Sequence, residues 1–286
     1  VNSSTDYWAR SASLFHTTTD GTQDIISEES TRIYLIAGAQ RGFAVPDQRG
    51  ILSHCSNPLD YRPVLRALLS HLDAWVTLDR APPPSRHPRL EYNTLVTRGA
   101  YRERFPDAPF FRVPADLPMP PRLGLGSGFT TEGIADKVPP ERGTPYITLV
   151  PAPDTDGMDI AGIRMPDISV PLGSHTGWNP QNASTGASDR LSGSFGSFIP
   201  FARTVPEREI LNDPRSAITE RYSSKEDYIA SFTEATLELA EQELILGVDI
   251  NAMIEAAANR YNRVMEHSPN DESCGYLTTN LTVSIK

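Results

Sequence analysis

Asp6 sits in a polar run, Asn2-Ser3-Ser4-Thr5-Asp6-Tyr7-Trp8. Further on, the apolar segment Arg32-Ile33-Tyr34-Leu35-Ile36-Ala37 empties into the turn Gly38-Ala39-Gln40-Arg41-Gly42. An acid, a buried strand and a glycine turn, in that order, are how the last third of a serine-hydrolase site is laid out. The carboxylate fixes the tautomer of a histidine in the turn, and that histidine takes the proton of a serine. Here the turn carries Arg41 instead. A guanidine stripped of its proton at pH 7 costs at least about 7 kcal/mol, at roughly 1.4 kcal/mol per pH unit below a pKa above ~12. That exceeds the ~10²–10⁴-fold usually gained from general base catalysis. Arg41 stands where a base is expected and cannot be one.

Other residues have the right chemistry and less support from their spacing. His54 follows Arg41 by thirteen residues, in the loop after the strand, and is the candidate substitute base. His16 reads as a hydrogen bond holding a loop, and His71 as a half-exposed residue along a helix. His87, His175 and His267 have no partner at a useful spacing. Cys55 beside His54 has the residue types of a nucleophile and its base, but adjacent side chains usually point apart. The run Asp154-Thr155-Asp156-Gly157-Met158-Asp159 opens like a calcium loop, yet Arg164 and Met165 stand near the place of the closing glutamate. A turn explains it better. No Gly-X-Ser-X-Gly occurs: the glycine-serine runs at Gly124 to Gly128 and Gly193 to Ser197 miss the spacing. Asp6 also has a purely structural use, since a carboxylate in a first helical turn stabilises the helix by ~0.3–1 kcal/mol.

The elements that must position these groups follow from local pattern. A short helix is expected from Asp6 to Leu14, capped by Thr5, and a strand at Ile33 to Ala37 covered on both faces, as in a parallel sheet. Val64, Leu65, Leu68, Leu69, Leu72, Trp75 and Val76 predict one apolar stripe on a helix from Tyr61 to Val76, with Pro63 in its first turn. Thirteen of the 25 prolines fall between Ala81 and Pro145, so that segment is expected to be extended and to wrap a surface. Tyr146 to Val150 and Ile160 to Ile163 read as a hairpin around Asp156-Gly157, and Gly173 to Phe201 as irregular. Two helices close the chain. One is capped by Ser223 with Glu226 and ends near Gly247, the other starts at Asp249, and Leu281 to Ile285 is a late strand or disordered.

The wording of several segments goes further than pattern. Asn2-Ser3-Ser4-Thr5-Asp6-Tyr7-Trp8, Ser13-Leu14-Phe15-His16-Thr17, Arg32 to Gln40, Tyr61-Arg62-Pro63-Val64-Leu65-Arg66-Ala67-Leu68, Ala81 to Arg86, Thr176-Gly177-Trp178-Asn179 and Gly196 to Thr204 resemble a family of bacterial α/β-hydrolase-domain proteins of poorly known substrate. The resemblance implies similarity to the C-terminal half of such a protein, with the nucleophile elbow upstream of Val1. It also implies Asp6 as the triad acid and a histidine where Arg41 stands. Trp178 and Phe198 would line the acyl or alcohol pocket.

Composition narrows the rest. With hydrophobic residues at 38% and charged residues at 22%, a real core is expected, and a net charge of −10 argues against binding nucleic acid by its backbone. No apolar stretch approaches the ~20 residues of a membrane span. Cys55 and Cys274 set no disulfide framework, and nothing in the sequence brings them together. The expected fold class is α/β: the C-terminal part of an α/β-hydrolase sheet, with a Pro-rich wrapping segment, a β-hairpin and two C-terminal helices. The divisions are 1–80 for the core strand and helix, 81–205 for the extended segment, 206–266 for the helical pair and 267–286 for a tail. The expected activity is that of a serine hydrolase acting on a small-molecule ester-type substrate without a cofactor, inactive as this chain alone. A non-catalytic hydrolase-like binding protein is the alternative. Compartment and oligomeric state are left open.

Overall fold

The apolar run before the glycine turn becomes a strand paired along both edges. In the computed structural model, which describes residues 1–42, 49–188, 190–269 and 274, Asn2–Ser3 (β1) is followed directly by the helix Ser4–Arg10 (α1), and Leu35–Ile36 (β2) lies parallel to β1. On the other edge of β2, Tyr34 is bridged in parallel to Arg86 and Ile36 to Ile163. Tyr34 to Ala37 are buried, as a strand inside a parallel arrangement requires. The first helix starts earlier than expected. Its cap is Ser3, whose N–H and Oγ both donate to Asp6 Oδ2 at 2.8 Å, and left-handed Ser11 (φ 58°) ends it.

The helix Arg62–Leu78 (α2) forms where the periodicity puts it, with Pro63 in its first turn. Its buried face is narrower than the sequence stripe. Val64, Ala67, Leu68 and His71 face inward, while Leu69, Leu72 and Val76 are more than half exposed. Apolar residues on this helix span more of the circumference than one contact face can cover.

The proline-rich stretch is not only a wrapping. Between Pro88 and Pro106 no proline interrupts the chain, so backbone donors are available. There Leu95–Val96 pairs antiparallel with Val150–Pro151, and the helix Arg98–Arg104 (α3) puts Tyr101 into a core with Trp8, Phe105 and Trp178. Beyond Pro106 an exposed hairpin joins Pro121–Gly124 to Glu141–Pro145. The turn at Asp154 to Gly157 forms, closed by Asp154 N to Met158 O at 2.7 Å and Gly157 N to Asp154 O at 3.0 Å. Next to the turn the two arms do pair, with Pro153 bridged antiparallel to Asp159 and Ile160 N donating to Ala152 O at 3.0 Å; farther out they diverge, Val150 facing Val96 and Ile163 running beside Ile36. Long-range ladders take over only beyond Ala152 and Ile160.

Gly173 to Phe201, expected to be irregular, supplies the longest buried strands. Gly173–Thr176 and Ser197–Pro200 pair antiparallel, and Cys55–Ser56 joins the outer edge of Ser197–Pro200. All eight residues of the two strands are buried whether polar or apolar, so there is no alternation to read. The fully buried Arg215 braces this sheet: it pairs with Asp213 and donates to Ser174 Oγ, Ile199 O and Pro200 O at 2.7, 2.9 and 3.1 Å. The closing helices are Lys225–Glu241 and Ile250–Glu266. The first is capped by Ser224, one residue later than expected, with Asp227 rather than Glu226 returning to Ser223. Cys55 and Cys274, which nothing in the sequence brings together, form a disulfide across a separation of 219 residues, with Cys55 on the edge strand of the three-stranded sheet. Leu281 to Ile285 lies outside the described residues.

Candidate functional site

Asp6 and Arg41 meet. Arg41 Nη1 donates to Asp6 Oδ1, while Oδ2 is held by Ser3, so both carboxylate oxygens are engaged. The carboxylate is nearly buried and the arginine side chain is 50% exposed, so the pair sits at the surface mouth of a buried acid. Two contacts deliver Arg41 there: Thr5 N donates to Ala39 O at 3.2 Å, and Tyr61 OH donates to Arg41 O at 2.9 Å. Next to the pair, Thr5 Oγ1 and Gln40 Nε2 are buried without a hydrogen-bond partner among the described residues.

Beneath the turn lies a polar layer that sequence reasoning missed. Asp159, read only as part of a turn, is fully enclosed; its Oδ2 accepts from Ser4 Oγ at 2.5 Å and from Gly38 N at 2.9 Å. It thereby ties the helix that carries Asp6 to the turn that carries Arg41. Burial pushes the Asp159 carboxyl up to about 6, against the opposing pull of the Gly38 and Ser4 hydrogen bonds and of Arg164. Gly38 has φ +66°, and a Cβ there would meet Ile168 Cδ1 at 2.8 Å and His175 O at 2.9 Å, so only glycine fits. Asn57 spans the same layer. Its Nδ2 donates to Gly38 O at 2.5 Å and Thr176 O at 3.2 Å, while its Oδ1 accepts from Leu59 N at 3.1 Å and faces His175 Nδ1 at 2.8 Å. The one sequence signal for Asp159 was a carboxylate directly ahead of the apolar run Ile160 to Ile163.

The histidines are placed away from the pair. The His54 backbone N and O are both bonded to the Asn179 side chain, at 3.1 and 3.0 Å, and its ring packs against Trp178. No hydrogen bond joins it to Asp6 or Arg41. Burial first, then the nearby cations Arg49, Arg112 and Arg215, push its imidazole down to about 3, so it is neutral. His16 Nε2 lies 2.9 Å from Tyr7 OH and its ring stands on His87; burial and then His87 push it down to about 4. His71 is buried against Glu243 O at 2.7 Å rather than half-exposed. Trp178 and Phe198 are both fully buried. Trp178 donates to Tyr101 OH at 2.9 Å, and Phe198 packs with Cys55 and Phe201, so both are core side chains closed off from solvent. Among the described residues, no group of three or more His, Cys, Asp or Glu side chains is placed to hold a metal ion. Among the same residues, no helix is long and apolar enough to cross a membrane.

Helices packed around small sheets, with a parallel strand handing its following turn to a carboxylate, define a hydrolase-like α/β protein. A family described as an alpha/beta hydrolase domain matches residues 4–255, and the chain belongs to that family. No curated protein and no solved structure matches the chain.

Proposed function

We propose that this chain carries the acid and base positions of a serine α/β-hydrolase that cleaves an ester or related acyl bond of a small molecule, and that it is inactive by itself. The observation that carries the reading is the contact of Asp6 with the residue in the turn after β2. In a working site, a histidine in that turn would donate to the carboxylate through one nitrogen and take the serine proton with the other. Arg41 occupies the contact and pairs with Asp6, and an arginine cannot act as the general base that the histidine would supply. The sequence has no Gly-X-Ser-X-Gly, and the order nucleophile, acid, base in this fold puts that elbow ahead of Asp6. On this reading β2 is the last core strand of the hydrolase sheet.

The test uses the full-length gene product and a fluorophosphonate probe for activated serines. Arg41→His should create labelling that Asp6→Asn removes again. A folded Arg41→His variant that stays unlabelled overturns the catalytic reading. One observation favours a second reading, a binding protein on a hydrolase scaffold: the half-exposed Arg41 guanidinium keeps donors beyond the one given to Asp6, and these suit a ligand carboxylate.

A further inference from the structure

We propose that the groove at the C-terminal end of α1 binds an aliphatic carboxylate, its chain along the groove and its head on Arg10. One wall comes from the 3₁₀ turn Ala12–Phe15, which follows left-handed Ser11; the other is Pro118-Met119-Pro120. Ser11 Oγ donates to Pro118 O at 3.2 Å and ties the two walls together. The space between them is about 590 Å³, within the ~300–1,000 Å³ of small-molecule sites.

The chemistry of the lining selects the ligand. Phe15 is 76% exposed and Met119 is 50% exposed, two large apolar side chains facing solvent on opposite walls of one groove. Pro118 and Pro120 have no backbone N–H, and the one proton of the Ser11 hydroxyl is given to Pro118 O, so neither the prolines nor that side chain has a donor left for an anion. Arg10 is the exception. It is exposed, lines the groove, and its side chain forms no hydrogen bond or ion pair with any described residue. A planar guanidinium at the edge of an apolar trough matches an apolar chain that ends in a planar anion.

Position links the groove to the proposed site. Arg10 follows Asp6 by four residues on α1, hence on the same helix face and about 6 Å along the axis. A carboxylic acid is also the product that ester hydrolysis would release. That connection rests on the hydrolase reading; the binding itself does not.

The experiment is displacement of 11-(dansylamino)undecanoate from the full chain by dodecanoate, by dodecan-1-ol and by dodecyltrimethylammonium. Saturable binding is expected, with dodecanoate at least ~10-fold tighter than the alcohol, the scale of one charge-assisted contact. Arg10→Gln should bring dodecanoate to within about 2-fold of the alcohol, and Met119→Glu should weaken both, each in a protein whose circular dichroism and melting are unchanged. Absence of saturable binding, preference for the cation, or indifference to either substitution overturns the proposal. Turnover plays no part in this measurement, so an unlabelled Arg41→His variant leaves it standing, and labelling does not rescue it.

Discussion

Replacing Asp159 with asparagine removes a charge from an enclosed carboxylate and leaves an oxygen that can still accept from Ser4 Oγ and Gly38 N. Burial raises this carboxyl from 3.8 to about 6, so the folded protein holds the proton more tightly than the unfolded chain does. Stability from this group therefore declines as pH rises from about 4 to about 6, and the whole cost of keeping it ionised is present above that. The gap corresponds to ~3 kcal/mol at ~1.4 kcal/mol per pH unit. Asparagine has no such dependence. The stability of Asp159→Asn minus that of the parent should rise by about 2 kcal/mol between pH 4 and pH 7, whatever its value at either end. Urea melts of both proteins at pH 4, 5, 6 and 7 measure it, and subtraction cancels every titration the two share. A difference that is flat, or that falls with pH, would refute the assignment of Asp159 as a buried carboxylate under strain from its surroundings.

Other expectations are simpler. Reducing the Cys55–Cys274 bond, or replacing both cysteines with serine, should cost about 3–5 kcal/mol, because the link closes a chain separation of 219 residues; thermal melts with and without dithiothreitol give the number. His16 is pushed down to about 4 from an ordinary 6.5, so its contribution to stability is intact above pH 6.5 and lost as pH falls toward 4, opposite in sign to Asp159. His16→Gln should flatten the acid limb of a melting-temperature profile, and an unchanged limb would show that the imidazole is not held neutral.

What could be read beforehand was local. Helix α2, the two closing helices and the β2 strand each announce themselves within one window of periodicity, caps and apolar run. The contact between Asp6 and Arg41 was legible because the order of acid, strand and turn is itself a local signal. The strands Gly173–Thr176 and Ser197–Pro200 were not legible. The first is Gly-Ser-His-Thr and the second Ser-Phe-Ile-Pro; polar members are satisfied by distant partners such as Arg215, and no alternation betrays a strand buried on both faces. Asp159 and the disulfide failed for the same reason. Ser4 and Asp159 are 155 positions apart, and only tertiary structure makes them neighbours. The stripe on α2 misled differently: hydrophobic residues recorded more contact surface than this fold covers.

Asn57 has a consequence for how the molecule ages. Its amide joins the Gly38 turn to the strand at Thr176, and hydrolysis to aspartate would replace the two donated bonds with a charge facing two carbonyl oxygens. Asparagine in proteins ordinarily decays when the next residue's backbone nitrogen attacks the side-chain carbonyl and closes a five-membered imide. The next residue here is Pro58, whose ring nitrogen carries no hydrogen to lose, so that route is shut. The most connected amide under the site is thus chemically durable by virtue of its neighbour.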